Sequence, residues 1–262
     1  MKIFLPIILS LLLISKLCYA QDDTADDGES GPKRFAIGFS VGNGYPMGEY
    51  GSISASRLPM SRFNGKDTDR ISGYAKPGFH YDIHAACRII GHLSIMVSFS
   101  GDQDSYDMNA LNAQYDGAYP PNTVSIYTSQ QYYLWQILGG PQFDYPISKV
   151  CSIDFHALAG YTGMFCPALT YNGLTDTVTY SYPLGSGFGY SVGAGISYNI
   201  ATGGALGVAF HLNTAYNGAI IKYADYSTLV SNAAATNAYL YNYPKYMNIG
   251  LIEVSVGISL EF

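Results

Sequence analysis

Strict two-residue alternation constrains this chain more than any other feature. Between Phe188 and Ile200, one parity carries Phe188, Tyr190, Val192, Ala194, Ile196, Tyr198 and Ile200, and the other carries Gly189, Ser191, Gly193, Gly195, Ser197 and Asn199. From Ile252 to Phe262 the pattern returns, with Ile252, Val254, Val256, Ile258, Leu260 and Phe262 set against Glu253, Ser255, Gly257, Ser259 and Glu261. Successive side chains of a strand point to opposite faces, so each segment makes a strand with one apolar face and one small or polar face.

Eight such segments can be traced, at about 33–42, 78–90, 93–101, 130–145, 150–164, 187–200, 205–217 and 246–262. Each is long enough to cross a bilayer as a tilted strand, which takes about 9–11 residues. Long connections follow the first, third, fifth and seventh. Short ones fall at Gly91, at Pro146 to Lys149 and at Thr202 to Gly204. Up-and-down transmembrane barrels have this asymmetry, with short periplasmic turns and long outer loops, and an even strand number returns both termini to the periplasm. Proline cannot donate to a sheet ladder. Pro32, Pro46, Pro59, Pro77, Pro120, Pro121, Pro146, Pro167, Pro183 and Pro244 fall in connections or at their edges, and Pro141 alone lies inside an expected strand.

Composition decides which way the apolar face points. Only 12% of the 262 residues are charged while 48% are hydrophobic, against about 25% charged in ordinary soluble domains. A soluble sandwich or lipocalin-like barrel would turn its apolar face inward and expose charge. Here the alternate face is Gly, Ser, Asn, His and a few acids, with hardly any Lys. Those small groups suit a narrow lumen. Phe79, Tyr81, Phe99, Tyr133, Trp135, Tyr161, Phe188, Tyr190 and Tyr216 fall near the outer strand ends, and Phe35, Phe143, Tyr145, Tyr198 and Phe262 near the inner ends, as two interfacial girdles would. The net charge of −6 carries no basic footprint for nucleic acid. The fold class is therefore all-β: a closed eight-stranded antiparallel up-and-down transmembrane barrel.

Residues 1–20 read as a secretory signal peptide, with an apolar run from Ile3 to Ile14 too short to span a bilayer and a small residue, Ala20, before Gln21. Residues 21–32 hold the acidic run Asp22 to Glu29 and read as a solvated leader, leaving 33–262 for the barrel. Cys87, Cys151 and Cys166 show no metal-type spacing or disulfide framework and read as free thiols.

The terminal segment, ending in Phe262 with Val256, Ile258 and Leu260 at alternate positions before it, resembles the C-terminal signal by which outer-membrane barrels are recognised for insertion. From about residue 33 onward the chain is similar to the small OmpA/OmpX-like outer-membrane barrel family in pattern and length. PorT-like secretion components share this size and a free-standing barrel. The resemblance implies a cell outer-membrane location, contact with outer-membrane lipid and with the insertion machinery, and no cofactor.

Gly189 to Gly193 spells G-x-S-x-G, yet a nucleophile elbow needs a strand, a sharp turn and a helix, and Ser191 lies mid-strand. Gly42, Gly44 and Gly48 lack dinucleotide spacing and a βαβ unit. No catalytic, cofactor or metal residue is assigned. The inward parity instead carries His80, Asp82, His84 and Arg88, then Gln136, Gln142 and Asp144, then Asp154 and His156, then His211 and Asn213, then Glu253 and Glu261. Imidazole and carboxylate at similar depth around His84, His156, His211 and Glu253 could form a metal or proton site. The plainer alternative is a packing network, since an eight-stranded interior is just wide enough for side chains. Arg34 and Glu261 are expected to pair at the inner rim, where first and last strands close. His211 is expected opposite Gly193 or Gly195, and Gly38 without a bulky neighbour.

The long loops, rich in Tyr, Asn, Ser and Gly, suit adaptable contact surfaces. Asn122 to Gln131 and Thr175 to Tyr182 keep alternating beyond membrane height, so some strands are expected to protrude as a sheet. The functional expectation is a structural or interaction protein acting through its loops or as an accessory subunit of an envelope secretion or assembly complex. A narrow small-solute channel and a membrane-embedded lipid hydrolase are the alternatives.

Overall fold

The computed structural model describes residues 34–53, 72–116, 125–148, 150–182, 184–201, 206–223, 226–232, 236–241 and 245–262. The expected signal peptide 1–20, leader 21–32 and turn at Thr202 to Gly204 lie outside them. Eight strands close into an antiparallel barrel: β1 (Phe35–Met47), β2 (Gly78–Ile90), β3 (Leu93–Asp104), β5 (Tyr132–Pro146), β6 (Cys151–Phe165), β9 (Gly185–Ala201), β10 (Gly207–Tyr223) and β13 (Lys245–Glu261). Each pairs with its sequence neighbour in the barrel, and β1 pairs with β13 from Ala36↔Glu261 to Met47↔Gly250 to close it.

Parity runs as the alternation requires. Outward positions such as Phe39, Ile196, Leu212 and Val256 are about half exposed, whereas Ser40, Ser98, Ser191 and Ser255 on the other parity are buried. Exposed apolar side chains ringing a closed barrel, with polar ones inside, form a lipid-facing belt. Rings line both ends of this belt: at the long-loop end Tyr81 contacts Phe79 and Phe99, Trp135 contacts Tyr161 and Tyr190 contacts Tyr216, and at the other end Phe35 contacts Phe262. Three outward glycines sit beneath such rings. Gly101, Gly163 and Gly218 lie directly across from Tyr81, Trp135 and Tyr190, whose rings occupy the space a Cβ would need. An aromatic covering a cross-strand glycine restores the packing that glycine lacks.

The prolines need one correction. Pro46 lies inside β1, opposite Leu251, and Pro146 ends β5. Pairing of β1 with β2 stops at Gly44↔Gly78, so Pro46 occupies a stretch bonded on one side only. At Pro141 there is no bulge. Ile95↔Pro141 holds on the β3 side, while on the β6 side pairs resume at Gln142↔His156 in the register of Gly139↔Ala159. The ladder skips Gly140 and Pro141, the second of which cannot donate. Gly91, at φ +52, makes the tight turn between β2 and β3.

The long connections are built structure. Helix α1 (Met108–Asp116) begins where Asp107 accepts the Ala110 N–H through its side chain, a capping contact. β4 (Ser125–Tyr127), β7 (Leu169–Asn172), β8 (Asp176–Ser181), β11 (Tyr226–Asn232) and β12 (Thr236–Tyr241) form a second antiparallel sheet in the order β12-β11-β8-β7-β4. Asn112 of α1 bonds both backbone groups of Ile126 and fastens the helix to this sheet. Cys151 and Cys166 are free thiols. Cys87 departs from that expectation, being disulfide-bonded.

Ile196 and Leu229 are 49% and 46% exposed, but the first faces the lipid belt and the second the protruding sheet. Ile196→Arg should therefore cost about 2–4 kcal/mol, and Leu229→Arg no more than about 0.5 kcal/mol, in urea unfolding from lipid vesicles. Equal costs would remove the lipid belt.

Candidate functional site

The lumen is stratified, and the strata follow from which residues occupy the inward parity at each height. At the long-loop end β5 contributes Tyr132 and Leu134, β6 Met164, β10 Ala219, Ile221 and Tyr223, and β13 Met247, Ile249 and Leu251, all buried. One step lower the same strands present Gln136, Thr162, Asn217 and Glu253, also buried. Apolar gives way to polar within one pleat.

Loop residues complete the apolar stratum. Tyr50 and Tyr74 from the β1–β2 connection, Tyr106 and Leu111 beside and within α1, and Ile126, Leu169 and Tyr171 from the second sheet join the same core. Tyr74, Tyr106 and Tyr132 stack in sequence with ring centroids 5.8 and 5.5 Å apart, and Tyr50 meets Tyr132 edge-on at 5.3 Å. The plug is anchored to both loop and lumen: Tyr132 donates to Gly73 O at 2.6 Å and Tyr50 donates to Asp104 Oδ2 at 2.6 Å. Burial first, and the Asp104 carboxylate second, hold the Tyr50 phenol well above its ordinary pKa, so it stays a donor. Tyr74 carries φ 51, a left-handed conformation held by its stacking and by the Asp107 N–H bond to its carbonyl.

Beneath the plug lie the residues expected on the inward parity. A small cavity of about 60 Å³ is lined by His80, Asp82, His84, Asp154, His156, His211 and Glu253 among others. A larger one of about 260 Å³ at the short-turn end is lined by Arg34, Arg88, His92, Asp144 and Glu261, and shares His84, Gln142 and His211 with the first. His84 Nδ1 lies 2.7 Å from Asp82 Oδ1, and Ser98 donates to the other oxygen of that carboxylate. His211 sits between Ser197 at 2.7 Å and Ser259 at 2.6 Å. Gln142 donates to Asp144 Oδ1 at 2.9 Å, and Gln136 donates to Thr162. Asp144 and Asp154 are direct cross-strand partners.

The structure regroups some expected neighbours. His84 and His211 meet edge-on with centroids 6.2 Å apart, but Glu253 joins His80, whose Nδ1 lies 3.3 Å from Glu253 Oε1 and 3.0 Å from Asp102 Oδ1. Asp102 and Asp104 lie beyond the expected third segment, 93–101, because the strand is longer than its alternation suggests. It runs to Asp104 on the parity already set by Ser98 and Ser100. The glycine register also changes. His211 faces Ser197 and Gly257, in the register that runs on from Ala209↔Asn199. Gly193 accommodates His156, and Gly38, expected to be open, accommodates His84. Across the closure, Glu261 faces Ala36, two residues from Arg34, and both line the short-turn cavity.

The second sheet has two unlike faces. Ile126, Tyr171 and Val178 are successive cross-strand partners directed at the plug, whereas Tyr127, Thr170, Thr179, Leu229 and Ala238 form the adjoining row on the other face. Ser125, Asn172, Thr177, Ser231 and Thr236 share that second face. Among the described residues it bears hydroxyls and amides but no charge.

A methyl at Gly38 would stand 2.2 Å from His84 Nε2, while one at the outward Gly139 would have nothing nearer than 3.7 Å. Gly38→Ala should lose about 1–3 kcal/mol, most of it regained in the Gly38→Ala/His84→Ala double variant, with Gly139→Ala near neutral. A urea-unfolding double-mutant cycle without coupling would disprove this contact.

No family model matches the chain, and no curated protein does. Among solved structures it is similar to Neisserial surface protein A, at 14% identity and a TM-score of 0.44 over 90% of this chain and all of that one. It is also similar to a major outer membrane protein from Thermus thermophilus, at 12% identity and a TM-score of 0.39 over 86% of this chain and 99% of that one. A third is Ail, the attachment invasion locus protein of Yersinia pestis, at 10% identity and a TM-score of 0.35 over 87% and 97% of the two chains.

Proposed function

We propose that this chain is an outer-membrane barrel with both termini periplasmic, working as a structural or interaction protein through its second sheet. The observation that carries the reading is the plug. Loop tyrosines close one end of the lumen while the same loops build a sheet whose outer face is uncharged and rich in hydroxyls. A solute pathway would need continuous water, whereas an apolar core several side chains deep excludes it. The long-loop end is outside, by the alternation of long and short connections.

In this reading the sheet face is a contact surface for another envelope component, including the assembly for which the barrel would be an accessory subunit. Hydroxyl and tyrosine groups of this kind give adaptable contacts. The lumen side chains, including Gln136 and Asp154, pack and pair within the barrel and carry no reaction. Val256, Ile258 and Leu260, exposed on the outward face of β13, and Phe262 just after it are offered to the insertion machinery.

Two measurements test the proposal. Purified protein in planar bilayers should show no steady conductance. A Leu134→Ala/Met164→Ala variant, which thins the plug, should show at most brief openings. Photocrosslinkers at Thr179 or Leu229 should trap an envelope protein in intact cells, and the same group at lipid-facing Ile196 should not trap that protein. Sustained porin-sized current from the unaltered protein would overturn the reading in favour of a channel.

A further inference from the structure

We propose that His80, Asp102 and Glu253 form a binding site for one divalent first-row transition-metal ion inside the barrel. This goes beyond the contact function and does not depend on it. The three residues come from β2, β3 and β13, and β1 lies between β13 and β2. Glu253 can cross β1 because Gly44 is its direct partner there, and the next inward residue, Gly42, is opposite His80. A Cβ at Gly44 would come within 2.8 Å of Asp102 Oδ1, so the carboxylate uses space that this glycine leaves.

The donors are buried, and although Asp102 Oδ1 meets His80 and the Glu253 carboxyl meets Asn217, one oxygen of each carboxylate is left over. His80, Asp102 and Glu253 are 2%, 1% and 6% exposed. His80 Nδ1 lies 3.0 Å from Asp102 Oδ1 and 3.3 Å from Glu253 Oε1, and one ligand atom from each residue falls within 4.8 Å of the others. A ring nitrogen has one proton to give, so it can serve one of these carboxylates and not both. Asp102 Oδ2 and Glu253 Oε1 have no hydrogen-bond partner. Neighbouring Asp82 and Asp104 each have a donor, in Ser98 and Tyr50. Two further carboxylates in a buried layer need compensation, because an unpaired buried charge is very costly. Among the described residues the arginines lining the lumen are Arg34 and Arg88, both at the short-turn cavity. Arg88 is eight residues along β2 from His80, which is about 26 Å of strand.

A divalent ion supplies what a proton cannot. It meets three donors at once and cancels both carboxylate charges. Metal–nitrogen and metal–oxygen bonds of about 2.0–2.2 Å place adjacent ligand atoms about 3.0–3.5 Å apart, the spacing of the His80 pairs. One imidazole with two carboxylates suits zinc, iron, manganese or cobalt, whereas calcium and magnesium prefer all-oxygen sets. The adjoining cavity, also lined by His80 and Glu253, has about 60 Å³. That is room for about two waters to complete the coordination sphere. Its continuation past His84, Gln142 and His211 gives the ion a path from the short-turn end.

The test uses the full barrel, extracted in detergent, stripped with a strong chelator and reloaded with zinc or cobalt. Elemental analysis of the unaltered protein should find about one zinc per chain, and cobalt should titrate saturably with visible absorption bands. Asp102→Asn and Glu253→Gln, confirmed as folded by heat-modifiable gel migration, should each lower zinc affinity at least about tenfold, the usual scale for a lost contact at a metal site. Asp176→Asn, an exposed carboxylate on the protruding sheet, should bind as the parent does. Zinc retention by the parent no greater than by the two carboxylate variants would overturn the site and leave a shared proton in its place. If neither variant folds, cobalt titration of the parent decides alone, and absence of a saturable one-to-one endpoint refutes the proposal.

Discussion

Closure of β1 on β13 is the constraint on which the rest of this molecule depends. In hydrocarbon, a strand edge would leave its N–H and C=O groups without partners, at several kcal/mol for each. Twelve consecutive registered pairs from Ala36↔Glu261 to Met47↔Gly250 remove that edge. Because the register is antiparallel and unbroken, it also decides which inward residues share a level. Gly44 beside Glu253, and Gly42 beside Ser255, are consequences of closure.

The interior shows how one strand can serve two solvents in succession. β13 presents Met247, Ile249 and Leu251 to the plug and then Glu253 and Ser255 to the polar layer without changing parity. β5 does the same from Leu134 to Gln136. The plug stabilises as a soluble core does, by removing tyrosine and aliphatic area from water. The layer below is held by directional contacts such as Asp82 to His84 and Ser197 to His211 to Ser259. The second sheet depends on the first, since Ile126 and Tyr171 are buried only because the plug lies beneath them.

Much of this was legible in alternation alone. Strand number, parity, closure and the inward placement of His80, Asp82, His84, His156, His211 and Glu253 all follow from a period of two, because a strand offers a side chain only two directions. Depth and register were less legible. His211 faces Ser197 and not a glycine because alternation fixes the parity of a strand but not its register against the next. Asp102 lies beyond the expected segment though its parity matches Ser98 and Ser100, since the strand is longer than its alternation suggests. The plug was hidden for a different reason. Tyr50, Tyr74 and Tyr106 lie outside any periodic segment, and only tertiary packing brings them above the lumen.

The two lumen ends are unlike, and this makes the barrel a vessel with a single mouth. The short-turn cavity communicates with the inner polar layer through His84, Gln142 and His211, whereas the opposite end is stoppered by stacked tyrosines. The polar interior therefore adjoins the short-turn end and not the protruding sheet. The protruding sheet and the polar interior are thus separated by the stacked tyrosines.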